Sequence, residues 1–270
     1  MKSRHVLMLS LLLPLLAACG PKPATDTTAA APAATTPEAT SAPATDAPAA
    51  PADAAPATPA EGTDTAAANT NPIVPPQGPA PVAGKDYVLI PNGQPYAPLN
   101  GQVEVVEVFG YVCPACARFA PEIAAWKKKQ PADVRVSYVP VVFGNVWAPY
   151  GKAFYAAQAK GLVDKTHDAV FAAIHLQRAL PGEGQPPADP AQIAQWYSQY
   201  GVDAKEFLSL MNSFGTNSQI ARGMQFAKNA GVEGTPTVIV NGKYRVTGGQ
   251  TYADVLRIAD HLVAMERAQR

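Results

Sequence analysis

Val105-Val106-Glu107-Val108-Phe109-Gly110-Tyr111-Val112-Cys113-Pro114-Ala115-Cys116 carries the reading of this chain: a run of β-branched residues leads directly into two cysteines separated by two residues. The stretch Gln102 to Phe109 is apolar and β-branched enough to be a central strand. Beyond the cysteines, Phe119, Ile123 and Trp126 recur at spacings of four and three, which gives a helix one buried face. Pro114 is tolerated in the first turn of that helix, where its missing N–H has no intrahelical partner to lose; Pro121, farther in, should kink it. Cys113 therefore stands at a helix N-terminus, where the macrodipole and unpaired backbone N–H groups favour a thiolate.

Three chemistries compete for this pair. Zinc would need two further Cys or His ligands, and the body of the chain offers only the scattered His167, His175 and His261, so no metal site is expected. An inert structural bridge is the bland alternative, but such bridges usually close longer loops and gain more from doing so. The spacing and the strand-to-helix position favour thiol–disulfide exchange. Cys113 and Cys116 are the only cysteines in the body of the chain, so they can act as a couple by themselves.

Outward from the motif, Tyr87 to Ile90 reads as an earlier strand, and Val134 to Val142 as a third, with Pro140 placing its end near a sheet edge. From about 145 to 229 the pattern turns helical: Ala153 to Lys160, Lys165 to Arg178, Ala191 to Tyr200, Ala204 to Phe214 and Asn217 to Asn229, divided by a Pro/Gly-rich break from Pro181 to Pro190. Strand character returns at Thr237 to Val240. Asn241-Gly242 is a strong hairpin turn, with Lys243 to Thr247 as the partner strand, and a last helix runs from Tyr252 to Ala268. His167, His175, Trp147 and Trp196 read as packing or surface residues.

The N-terminus reads as an export signal over residues 1–19. Lys2 and Arg4 precede the apolar stretch Val6 to Leu16, which is short for a transmembrane helix. Leu16-Ala17-Ala18-Cys19 resembles the lipobox of bacterial lipoproteins, which implies lipidation of Cys19 and a membrane anchor; Gly20 after the cysteine points to the outer membrane. The alternative is an ordinary secretory signal with a fortuitous cysteine. Residues 20–81 are Ala, Pro and Thr with a few acids, too poor in large apolar groups to offset ordering entropy, and read as a disordered tether spanning roughly 40 Å if flexible. Residues 82–270 suffice for one domain with an insertion. The 270-residue chain has 21 basic and 21 acidic residues. Lys127-Lys128-Lys129 fits a helix C-terminus and a solvated face, so nucleic acid is not an expected partner.

The Val105–Cys116 stretch, together with Gly234-Thr235-Pro236-Thr237 and Val240-Asn241-Gly242-Lys243-Tyr244, resembles the DsbA family of thiol:disulfide oxidoreductases. The resemblance implies an α/β thioredoxin-like fold with an inserted α-helical domain at about 145–229. It implies no cofactor beyond a redox-active disulfide. It makes Cys113 the exposed nucleophile and Cys116 the resolving thiol one helical turn deeper, exchanging through a mixed disulfide. Thr235-Pro236 matches the family's cis-proline loop, which offers backbone hydrogen bonds to an extended substrate. Glu107 matches the buried acid that exchanges a proton with Cys116, burial raising its pKa.

This chain departs from that pattern in several places. Ala115 replaces the usual His before the second cysteine, which predicts a less stabilised Cys113 thiolate and a weaker oxidant. Tyr138 stands near where a lysine often faces the acid. Thr235 before the proline is commoner in isomerases. The leading expectation is a periplasmic, lipid-anchored enzyme that forms disulfides in exported cysteine-containing proteins and is reoxidised by a quinone-linked membrane partner. An envelope reductase or isomerase fed by a membrane electron donor is the alternative, and a binding or chaperone module with a vestigial CxxC is a second.

Overall fold

The strand that leads to the cysteines, β2 (Val103–Phe109), is buried at every position. In the computed structural model, which describes residues 69–270, β2 is flanked on both sides. The five-stranded order is β1-β5-β4-β2-β3, with β1 at Tyr87–Leu89, β3 at Val134–Pro140, β4 at Thr237–Val240 and β5 at Tyr244–Val246. β3 is parallel to β2 and forms one edge, as expected, but stops at Pro140, two residues short of the expected Val142. β4 is antiparallel to β2 and turns through Asn241 and Gly242, both at positive φ (50° and 64°), into β5. Positive φ at both turn positions is what an Asn-Gly hairpin supplies.

Side chains alternate along β2, so its two faces have different partners. Val103 and Val105 pack with Phe119, Ile123 and Trp126 of helix α1 (Pro114–Lys129) and with Leu256, Ile258 and Leu262 of helix α7 (Tyr252–Arg267). Val106 and Val108 face Ala227 on helix α6 (Phe214–Asn229). Each large side chain withdrawn from water in these layers contributes about 1.5–3 kcal/mol. α1 continues through Pro121, which has no N–H to donate to the Ala117 carbonyl.

The helices α2 (Ala148–Ala159), α3 (Val163–His175), α4 (Pro190–Tyr197), α5 (Ala204–Met211) and α6 lie in sequence between β3 and β4, the insertion in the thioredoxin-like plan. α2 begins five residues earlier than the sequence pattern indicates. Pro149 falls in its first turn, and eight of its residues are buried, so it lacks the one-sided stripe that marks a surface helix. The helical core of Phe154, Phe171, Ile193, Tyr197 and Phe207 is continuous with Phe109 and Tyr111 at the end of β2.

The signal, Cys19 and the tether as far as residue 68 lie outside the described residues. The last part of the expected tether, residues 69–81, lies against the domain instead. Asn69 and Asn71 donate to the Gln130 and Lys128 carbonyls at the C-terminal end of α1, both at 2.7 Å, and Arg257 of α7 bonds the Pro79 carbonyl. Those asparagines satisfy helix-end carbonyls that otherwise lack partners, which composition alone does not reveal. Among the described residues no helix is long and apolar enough to cross a membrane.

Candidate active site

Cys113 is the N-cap of α1, in an extended conformation, and its sulfur accepts from the Cys116 backbone N–H at 3.4 Å. The turn leading into it is closed by the Cys113 N–H on the Gly110 carbonyl at 3.0 Å. Both cysteines are free thiols here. Cys113, expected to be exposed, keeps only 7% of its surface open, and Cys116 none, so the nucleophile candidate is largely covered rather than displayed. Opposite them the Thr235–Pro236 peptide is cis, and the Cys113 thiol reaches the Thr235 carbonyl at 3.5 Å across 122 positions of sequence. Pro114 begins the helix, and the Ala115 carbonyl accepts from the Tyr252 hydroxyl at 2.9 Å, which ties α7 to the motif.

This geometry divides the two thiols electrically. The hydrogen bond from the Cys116 thiol, followed by bonds from Thr235 and the Cys116 and Ala115 backbone N–H groups, outweighs burial and lowers the Cys113 pKa to about 5. Burial, reinforced by its bond to Cys113 and the charge there, pushes Cys116 far above the ordinary thiol range. Neutral pH thus favours a thiolate on Cys113 and a thiol on Cys116. That polarity suits exchange at the first sulfur.

Glu107 is fully buried, and neither of its carboxylate oxygens has a hydrogen-bond partner. Burial first, then the Cys113 and Asp168 charges, raises its pKa well above the carboxylate range, so it holds a proton where an exposed glutamate would not. Its neighbours in the sheet are Tyr138 on β3 and Val238 on β4, two residues from Pro236.

The comparisons with known proteins agree with this arrangement. The DSBA-like thioredoxin domain family matches residues 150–258. The thiol:disulfide interchange protein DsbA of Pseudomonas aeruginosa is 38% identical over 188 residues, covering 69% of this chain and 86% of that protein. That of Azotobacter vinelandii is 37% identical over 187 residues, 68% of this chain and 84% of its own. The chain belongs to the DsbA family. The crystal structure of the oxidoreductase DsbA from Xylella fastidiosa superimposes with a TM-score of 0.66 at 43% identity, covering 70% of this chain and 98% of that one. Pseudomonas aeruginosa DsbA gives 0.62 at 37% identity, covering 70% and 95%. The chain is accordingly a thiol:disulfide oxidoreductase of the DsbA type.

Two features of this DsbA-family site were not visible in the sequence. Glu104 is a second fully buried carboxylate on β2, three residues from Glu107 and so on the opposite face. It accepts from Tyr96 N–H (2.7 Å), Ser137 Oγ (2.9 Å) and Arg135 (3.0 Å). A satisfied carboxylate like this fixes structure, whereas Glu107, on the other face of the strand, has no polar partner. Gly110 is the other: a Cβ there would lie 2.0 Å from the Trp147 ring, which caps the turn into Cys113. Gly110→Ala is expected to destabilise the protein by about 2–3 kcal/mol, the usual cost of overpacking, read as a lower midpoint in urea. Among the described residues no group of three or more His, Cys, Asp or Glu comes together to hold an ion.

Proposed function

We propose that this protein works in the periplasm as an oxidase that introduces disulfide bonds into exported cysteine-containing proteins. The observation that carries the reading is the seat of the Cys113 sulfur at the N-cap of α1, 3.4 Å from the Cys116 N–H and opposite the cis Thr235–Pro236 peptide, a setting that lowers its pKa to about 5 and keeps Cys116 protonated. A thiolate stabilised in the reduced form makes the corresponding disulfide easier to reduce, and hence a stronger oxidant. The side chain at 115 is not the source of this stabilisation; hydrogen bonds from Cys116, Thr235 and the helix N-terminus supply it.

In this scheme a substrate thiolate attacks the Cys113 sulfur of the Cys113–Cys116 disulfide, and the bond between the two cysteines breaks. Cys116 leaves as a thiolate and takes a proton, for which protonated Glu107 is the source. A second substrate thiolate then attacks the substrate sulfur of the mixed disulfide and expels Cys113 as a thiolate. The substrate has lost two electrons and the enzyme has gained them, to be passed to a quinone-linked membrane partner. The Thr235–Pro236 loop aligns the substrate: the backbone of Thr235 can pair with an extended segment, and Pro236, which has no N–H, leaves the sulfur path open. Lipidation of Cys19 would hold the enzyme at a membrane, the outer one by the residue that follows.

The test is rapid acid quenching of cells followed by thiol alkylation, on the wild type and on Cys19→Ser. The pair should be mostly disulfide in both, with the wild type in the membrane fraction and Cys19→Ser released. A mostly dithiol pair would instead identify a reductase or isomerase fed by a membrane electron donor. In the purified dithiol protein, alkylation of Cys113 should be nearly pH-independent above about 6 and fall about tenfold per unit well below its midpoint.

A further inference from the structure

Tyr111, two residues before Cys113, is gripped by the inserted helices at three points. His167, Phe171 and His175 stand at successive intervals of four on α3 and so form one ridge of that helix. The Phe171 ring meets the Tyr111 ring edge-on with centroids 5.0 Å apart. His167 Nδ1 lies 3.0 Å from the Tyr111 hydroxyl. His175 Nε2 lies 2.7 Å from the Tyr111 backbone carbonyl oxygen, and since a carbonyl can only accept, that nitrogen carries the hydrogen.

The segment between the end of β2 and the start of α1 is only Gly110 to Cys113, and the sheet and the helix fix its two ends. The remaining freedom is the orientation of its peptide planes. His175 restrains one of them, Tyr111–Val112, immediately ahead of the nucleophile candidate. Rotation of that plane would carry Cys113 away from the Cys116 and Ala115 N–H groups. A direct role of His175 at the sulfur is not required. The residue also lines, with Pro114, Arg118 and Leu176, a groove of about 450 Å³ between α1 and α3, so its ring is set against the start of the redox helix.

We propose that His175 is a positioning residue: by hydrogen-bonding the Tyr111 carbonyl it sets the Cys113 sulfur against the N-terminus of α1, and so makes the inserted helices part of the redox site. This rests on the reading of Cys113 as the reactive thiol, though not on the direction of electron flow. It also gives the insertion a task in the chemistry besides offering a surface.

The test is the titration of the Cys113 thiolate, followed by its ultraviolet absorbance, together with the glutathione equilibrium of the pair, in His175→Leu, His175→Gln and Tyr111→Phe. His175→Leu should raise the titration midpoint by about one pH unit, a tenfold loss of thiolate stabilisation. The pair's potential should become more reducing by about 30 mV, the same factor for a two-electron couple. His175→Gln, which keeps an N–H donor, should restore both to within about twofold. Tyr111→Phe, which removes the hydroxyl facing His167 and keeps the backbone carbonyl that His175 holds, should leave the midpoint in place.

Wild-type midpoint and potential in His175→Leu, with only a lowered melting temperature, would overturn the proposal. Should that variant not fold, His175→Asn, whose amide stops short of the carbonyl, carries the same reading. If the wild-type thiol titrates near 5 and responds to His175 but the pair is dithiol in cells, the oxidase assignment fails and this inference stands.

Discussion

Replacing Cys113 by Ser is expected to abolish thiol–disulfide exchange, lowering the rate by at least about three orders of magnitude, as loss of a nucleophile generally does. Replacing Cys116 by Ala should have a different outcome. The first sulfur keeps its backbone N–H donors and its place opposite the Thr235 carbonyl. Its thiolate can still attack a disulfide in a substrate, bonding one substrate sulfur and releasing the other as a thiolate, but the second thiol is no longer there to break that mixed disulfide. Mixed disulfides through Cys113 should therefore accumulate, visible on non-reducing gels and lost on reduction. Cys116→Ala also removes the largest contribution to the low Cys113 pKa, so the midpoint near 5 should rise in that variant. A binding module with a vestigial CxxC predicts that neither substitution affects partner capture. Equal capture by wild type, Cys113→Ser and Cys116→Ala would reject exchange as the function.

The features legible in the sequence are the local ones. Strand β2, the redox helix and the Asn-Gly hairpin each carry their signal within a dozen residues, as β-branched runs, a three-and-four spacing and a turn dipeptide. Helix α2 starts ahead of its sequence pattern, with Pro149 in its first turn and Gly151 buried against Ile220. What composition does not encode is pairing at a distance. Glu104 and Glu107 look alike in Val-Glu-Val-Val-Glu-Val, yet one meets Arg135, Ser137 and Tyr96 while the other meets no polar partner. The two histidines of α3 read as packing residues. One lies in an aromatic cluster with Phe109 and Tyr138, and the other holds a carbonyl 64 residues away. The resemblance brought Thr235–Pro236 to the cysteines; no local signal did.

The second large effect concerns Glu107, whose lack of partners gives it a measurable signature in stability. Burial raises its folded-state pKa above the unfolded value near 4.5. Between those two values the folded protein binds the extra proton, so stability falls as pH rises, by about 1.4 kcal/mol per unit, and levels off only above the folded pKa. His167 has the opposite sign. Burial lowers its folded pKa from 6.5 to about 3, the unfolded chain binds the extra proton in that window, and stability is lost as pH falls through it. Above about 6.5 the His167 contribution is flat. In the disulfide form the cysteines no longer titrate, which removes the opposing slope from Cys113. Urea unfolding of the oxidised protein from pH 6.5 upward should therefore show wild-type stability declining, while Glu107→Gln stays nearly level and is the more stable of the two. On the proposed role of Glu107 as the proton source for the departing Cys116, the same variant should exchange about 10- to 100-fold more slowly. A Glu107→Gln protein with the wild-type pH slope and the wild-type exchange rate would mean that the buried acid is neither protonated by its site nor used by it.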